Sequence, residues 1–340
     1  MRKVLFITIG MLAAAAVHAQ DINFSQFYEL PLLRNPALAG DFRGDIRVTS
    51  AFRNQWSSVT VPYQTQALGV ELKLGGRNSD TYGSLGMQIT NDVAGDSKLG
   101  KTQLFPMVAI HIPVSANRNN YFTAGFLGGA VQQRFDPSKL TFDDQFVNGA
   151  YSATNPTRQV FNNTNVLYWD LAMGVKLSGE MGVDTRYFIG GGWFHLFKPK
   201  VAFEPSSDVR LNHKYVVNAG LSLPTSDFDR VILYFDYFMQ GGYNQGQGGF
   251  LYKHDFLQED QDYTFSMAGG LFYRLNDAVV PVIKIDYYNW SAGFTYDVNV
   301  SKLVKASQSR GGFELTLSYS NFLNILNSSL NKTKCPVNVY

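Results

Sequence analysis

Apolar and polar residues alternate with a period of two over most of this chain. The cleanest case is 165–178, where Leu167, Trp169, Leu171, Met173, Val175 and Leu177 interleave with Tyr168, Asp170, Ala172, Gly174 and Lys176. Such a period means a strand with two unlike faces. The first such segment follows Gly44, with Ile46, Val48, Ser50, Phe52 and Trp56 on one side and Asp45, Arg47, Thr49, Arg53 and Gln55 on the other. Segments 64–74, 82–94, 101–114 and 121–135 repeat the pattern between turns rich in Gly, Asn and Asp. So do 186–198, 209–223, 230–240, 250–256, 263–276, 279–289, 290–300 and 308–320. Asp236, Lys284, Asp286, Asp297 and Glu314 fall on their polar faces.

These segments amount to about fourteen strands at about 23 residues per strand and connection, the spacing of transmembrane barrels whose strands cross in about 9–11 residues. The expected fold is therefore all-β: a transmembrane outer-membrane β-barrel of about 14 antiparallel strands, its apolar face on lipid and both termini periplasmic. The soluble alternatives are an array of β-sandwiches or a propeller, and the chain lacks the fixed-period repeat of propeller blades. Alternation stops between 136 and 164, which is predicted to be a long external loop. The short connections after even-numbered strands (75–80, 115–120, 179–184, 224–229) then face the periplasm. Tyr63, Tyr82, Tyr121, Tyr263, Trp290 and Tyr319, near segment ends, fit interfacial girdles.

Composition narrows the class. Arg2 and Lys3, an apolar run from Val4 to Val17 and the small residue Ala19 read as an export signal cut after Ala19. No Cys follows that run, so no lipoprotein anchor is expected. Without the signal, 27 basic residues face 27 acidic ones, and no nucleic-acid partner is implied. The chain holds 26 Phe, 19 Tyr and 31 Gly, yet no later apolar run is long enough for a membrane helix. Entry into a membrane must be by strands. A single cysteine, Cys335, forms no internal disulfide. The predicted organisation is signal peptide 1–19, N-terminal periplasmic or plug segment 20–43, barrel 44–320 and C-terminal tail 321–340.

Candidate chemistry is sparse. His111, His195, His213 and His254 lack a second His or Cys at metal-ligand spacing, and no GxSxG elbow marks a nucleophile. Asp143 and Asp144 read as a solvated acidic loop rather than a metal site. No catalytic, cofactor-binding or metal residues are expected, and no enzyme.

One stretch, 21–40, is too irregular for a membrane strand and too apolar for a solvated tail. Phe24, Phe27, Tyr28, Leu30, Leu32 and Leu33 need a cover, since each Å² of exposed apolar surface costs about 25 cal/mol. Asn35-Pro36 supplies a bend, because the residue before Pro favours extended geometry. Three covers are open: a plug within the lumen, a docking surface at the periplasmic mouth, or local packing without a partner. On the docking reading the partner-binding residues are Phe24, Gln26, Phe27, Tyr28, Leu32, Leu33, Asn35 and Pro36.

Several stretches together resemble the PorP/SprF family: FSQFYELPLLRNPALAG followed by FRNQW, FHLFKPKVAF at 194–203, LNHKYVVNAG at 211–220, GGFLYKHDF at 248–256, the run 269–303, and GGFELTLSYS at 311–320 before Cys335-Pro336. The end Val337-Asn338-Val339-Tyr340 departs from the basic residue and Phe with which that family closes. The resemblance implies an outer-membrane protein of a Gram-negative bacterium, seated in outer-membrane lipid. It also implies work with periplasmic type IX secretion proteins, the ring and a peptidoglycan-linked component, or with a dedicated secreted adhesin, and gliding motility in some members. The residues by themselves also permit a second class, a passive or FadL-like channel for small or hydrophobic solutes.

Overall fold

Each alternating segment becomes one strand of a closed wall in the computed structural model, which describes residues 21–55, 61–75, 81–114, 120–147, 149–152, 154–182, 184–256, 265–301 and 310–323. The strands are β1 (Ile46–Gln55), β2 (Tyr63–Gly75), β3 (Tyr82–Ala94), β4 (Leu99–Pro113), β5 (Tyr121–Arg134), β6 (Asn165–Met181), β7 (Thr185–Phe194), β8 (Lys214–Pro224), β9 (Asp229–Gln240), β10 (Tyr243–Phe256), β11 (Phe265–Arg274), β12 (Ala278–Tyr287), β13 (Trp290–Asn299) and β14 (Arg310–Asn321). Every strand pairs antiparallel with its sequence neighbours. β1 pairs with β14 from Ile46↔Asn321 to Gln55↔Gly312, so the sheet closes and leaves no free edge. The signal segment, Trp56, Tyr263, Cys335 and most of the predicted tail lie outside the described residues.

The pleat sorts the side chains as the alternation predicts. On β6, Leu167 and Trp169 are 66% and 72% exposed, whereas Asp170, Ala172 and Lys176 are buried on the inner side. Exposed Leu68, Val108, Ile110, Val217, Phe235 and Leu315 continue the outer apolar band around the wall. Asp236, Asp297 and Glu314 point inward and are buried, so the lumen of this barrel is filled rather than water-lined at these positions. Among the described residues no helix is long and apolar enough to cross a membrane.

Three strand limits differ from expectation. β10 starts at Tyr243 rather than at 250: Asn244, Gln245, Gly246 and Gln247 carry no apolar face, yet Gln245 and Gln247 point inward and bind Asn23. β7 stops at Phe194 because His195 and Lys198 turn the backbone to φ of 58° and 46°. Residues 209–213 alternate but do not join β8, and Lys200 bridges to Arg210 so that the loop pairs with itself.

We call the end where β1 begins and β14 finishes the base, and the opposite end the crown. The long loop from Phe135 to Thr164 leaves the crown and contains a small hairpin, Phe146–Val147 with Ala150–Tyr151. In it Asp144 accepts hydrogen bonds from the Arg158 amide and the Thr157 hydroxyl, so this carboxylate serves the loop's own fold. Asn162 donates to Glu204, and Phe135 meets Phe203 edge-on at 4.9 Å, tying the loop to the crown connection between β7 and β8.

Candidate functional site

The segment before β1 threads the lumen from crown to base. It folds as three short turns, Phe27–Glu29, Pro31–Arg34 and Pro36–Leu38. Pro31 and Pro36 each open a turn, where a missing N–H costs nothing. Asn35 is extended (φ −163°, ψ 124°), as a residue before Pro prefers, and its side-chain oxygen caps the last turn by accepting from the Ala37 amide at 2.9 Å. Burial of Phe24, Phe27, Tyr28, Leu30, Leu32 and Leu38 contributes about 1.5–3 kcal/mol per large side chain.

Charge pairs fix the height of this plug. At the crown, Asp21 sits between Lys101 of β4 (3.0 Å), His195 (2.9 Å) and Lys214 of β8 (3.5 Å), and His195 also bonds Asp170 at 2.6 Å. Burial opposes the charge on Asp21, but these three cations hold its carboxyl well below the usual range. His195, just past β7, is pushed down by burial and up by Asp21 and Asp170, and ends at about 9. One level lower, the Ser25 and Gln26 amides donate to the two oxygens of Glu314, and the Ser25 hydroxyl donates to Asp297. Arg53 bridges both carboxylates, and Arg274 joins Asp297. Glu29 pairs with Lys284. Arg34 grips Asp236 through two nitrogens, its guanidinium 4.8 Å from the Phe27 ring centre. Near the base Lys176 meets Asp41 at 3.0 Å, and the Gly40 amide donates to Glu71.

Two further contacts fix its rotation. Tyr28 stacks between Tyr234 (centroids 5.0 Å apart, planes at 6°) and Phe272 (5.2 Å). Further along the plug, the Asn35-Pro36 bend presses into a notch where the wall lacks side chains. A Cβ on Gly125 of β5 would lie 2.4 Å from the Pro36 carbonyl carbon, and one on Gly174 of β6 would lie 1.9 Å from the Asn35 side-chain oxygen. Asn35 fills the notch with hydrogen bonds to the Val175 carbonyl and the Asn218 side chain.

All eight sequence-predicted partner residues therefore come together inside the barrel. Phe24, Gln26, Phe27, Tyr28, Leu32, Asn35 and Pro36 are buried and Leu33 is half-buried, facing the wall rather than an outside surface. In this conformation the segment lies within the lumen rather than at the mouth, with Phe24, Phe27 and Tyr28 toward the crown. Sequence reasoning missed Asp21, Ser25, Glu29, Arg34 and Asp41, because their partners stand up to 289 positions away and nothing local announces them. The four histidines have structural partners: His111 between Ser84 (3.0 Å) and Thr123 (2.9 Å), His213 on the His195 carbonyl, His254 on Asp229. Among the described residues no three His, Cys, Asp or Glu side chains gather as a metal site.

The comparisons with known proteins bear on a plugged, fourteen-strand antiparallel barrel. The family model described as type IX secretion system membrane protein PorP/SprF matches residues 16–319. The chain belongs to the PorP/SprF family. A search of curated protein sequences returns no match. Among solved structures, this PorP/SprF-family barrel is similar to a Pseudomonas aeruginosa FadL homologue at TM-score 0.52 and 8% identity, covering 84% of this chain and 92% of that one. It also aligns with the CymD monoaromatic hydrocarbon channel at TM-score 0.48 and 10% identity, over 87% and 94% of the two chains. At these identities the likeness concerns the outer-membrane barrel fold alone.

Proposed function

We propose that this PorP/SprF-family barrel is a non-enzymatic component of type IX protein secretion, a scaffold or partner-specific outlet whose plug seals the lumen until a partner acts on it. The observation that supports this most is the coincidence of family and architecture: the matched region spans the wall as far as Tyr319, and residues 24–42 lie inside it. In this reading the export signal leaves after Ala19, the base faces the periplasm and the crown loops face outward. The partners are the periplasmic ring and a peptidoglycan-linked protein at the base, or one secreted adhesin, with gliding motility where that adhesin serves it. Phe24, Gln26, Phe27, Tyr28, Leu32, Leu33, Asn35 and Pro36 meet such a partner only after the segment leaves the lumen.

A strain lacking the chain, complemented with the wild type or with a variant missing 24–33 but keeping the signal, tests this. The shortened barrel should still be heat-modifiable and resist alkali extraction from the membrane, while secretion of one or more proteins and cross-linking to a periplasmic partner fall. Secretion and partner recovery equal to wild type in both the null strain and the variant would sink the proposal.

A further inference from the structure

Where the plug reaches the crown, two carboxylates meet three cations at contact distance. Lys101 lies 3.0 Å from Asp21, His195 lies 2.9 Å from Asp21 and 2.6 Å from Asp170, and Lys214 comes only to 3.5 Å from Asp21. His195 is protonated at neutral pH, since its pKa is about 9. The next carboxylates have other partners: Asp236 is gripped by Arg34, and Asp92 accepts from the Thr65 hydroxyl. Lys214 is the least firmly held of the three cations. Apart from Asp21, its ammonium lies over the ring faces of Phe194 (5.4 Å) and Phe238 (4.9 Å), a weaker hold than a charged hydrogen bond. Tyr168, two residues before Asp170 on the same inner face, keeps a buried hydroxyl without a hydrogen bond among the described residues, in the field of Lys101, Asp21 and Asp170.

Water reaches this anchor. Asp21 and Lys101 keep 13% and 14% of their side-chain surface exposed, whereas Asp41 and Lys176 near the base keep 3% and 1%. Beside it a cleft with a free interior of about 30 Å³ runs between Ile22, Asn23 and Phe24 of the plug and Lys214, Phe238 and Gln247 of the wall. That space holds about two waters, so an occupant must take the place of residues 21–25 rather than lie next to them. What those residues leave behind defines the occupant. If they lift while the plug below stays seated, three cations keep one carboxylate, beside Tyr168, Phe194 and Phe238, which give them no counter-charge. Buried cations left in that way are strongly unfavourable, and an incoming carboxylate removes the cost. Lower down, Gln245 and Gln247 lose the Asn23 side chain, and Glu314 and Asp297 lose the Ser25 amide and hydroxyl.

We infer that Lys101, His195 and Lys214 form a carboxylate receptor at the crown, which the chain's own Asp21 occupies and from which an extended acidic segment of a partner protein displaces it. The fitting segment carries a carboxylate, then an apolar residue, then amide or hydroxyl side chains for the two glutamines and for the Glu314 and Asp297 carboxylates. Exchange replaces one carboxylate by another, so the first residues of the plug come free without leaving the three cations unmatched. That the occupant is a protein segment rests on the secretion role proposed above; its charge and its approach from the crown come from the cradle itself.

The test uses the full-length protein in nanodiscs, which leave both mouths open, in a Cys335→Ser background with a nitroxide at Ile22→Cys beside Asp21. The probe is the peptide of residues 21–25, capped at both ends so that Asp21 supplies its only charge. At constant ionic strength it should free the nitroxide in a saturable way. The same peptide with Asp21→Asn should need a concentration about ten- to a hundredfold higher, the loss that one charge-assisted hydrogen bond gives. Lys101→Gln should abolish that difference; if this variant fails to give a heat-modifiable barrel, the peptide pair on the unaltered wall carries the test alone. A nitroxide that the peptide never frees, equal potency of the two peptides, or an equal effect of sodium acetate at the same concentration would overturn the receptor. No secretion machinery is present, so a failed exchange leaves the role tested by deletion standing, and normal secretion in the null strain would remove that role without touching the exchange.

Discussion

The pair Arg34–Asp236 offers the sharpest perturbation of the plug. Both side chains are about 95% buried and joined through two nitrogens, and the guanidinium lies against the rings of Phe27, Phe188 and Tyr234. Removing one partner of such a pair leaves an uncompensated charge and costs about 3–5 kcal/mol, whereas replacing both by apolar groups is often near neutral. Arg34→Leu destabilises only the seated plug, because Asp236 regains water once the segment leaves. At about 1.4 kcal/mol per factor of ten, the unseated fraction should rise about 100- to 1,000-fold or more. In a Cys335→Ser background, a thiol at Leu38→Cys, a position with no exposure when the plug is seated, reports that fraction through its reaction with a small maleimide. Reaction should accelerate in Arg34→Leu and in Asp236→Leu, return to within about tenfold of the parent in the double variant, and leave heat-modifiability unchanged in all three. Single variants that react like the parent, or a double variant with the product of both accelerations, would refute the assignment of this pair as a plug lock.

Other variants probe separate contacts. Gly125→Ala places a methyl against the Pro36 backbone, which cannot step aside, so it should expose Leu38→Cys while the barrel still assembles; unchanged protection would contradict the notch. Leu171→Arg should cost about 2–4 kcal/mol of assembled barrel by facing lipid. Because the lumen at Ala172 is packed rather than water-filled, Ala172→Arg should also lower assembly, by overpacking, whereas Val166→Arg near the crown should be tolerated on heat-shift gels. His195 has its pKa raised in the folded state, so its contribution is complete below about 6.5 and is lost as the pH climbs through about 9. A nitroxide at Ile22→Cys should accordingly gain mobility between pH 7 and pH 10, and His195→Gln should flatten that change.

The wall was legible because its rule is local. Two unlike faces force strict alternation, and β3 or β6 shows it in the order of residues alone. Where polarity on both faces suits the plug instead, as at Gln245 and Gln247, the rule gives no signal and the strand start is missed. The overrun past Phe194 has the opposite cause: alternation persists in the sequence, but a left-handed backbone at His195 ends the pairing. For 21–40 the composition called for burial without saying where. Its address depends on Glu314, Asp236 and Gly125, and no spacing within the segment encodes residues that far along the chain.

The crown-to-base path of the plug also sets a timetable. Ser25 waits for Asp297, 272 positions later, and the Gln26 side chain waits for Thr316, 290 positions later, so the part of the barrel exported first is satisfied last. Contacts of such separation must be reached before they repay the entropy of closing the intervening loop, and chains dominated by them fold slowly. Until β13 and β14 exist, the aromatic and charged side chains of 21–45 have no wall to meet. If β1 and β14 zip up first, that segment must be threaded through a closed ring. Assembly should therefore wrap the nascent sheet around the plug and close the β1–β14 seam last, which makes the plug a mandrel for the barrel before it is a stopper.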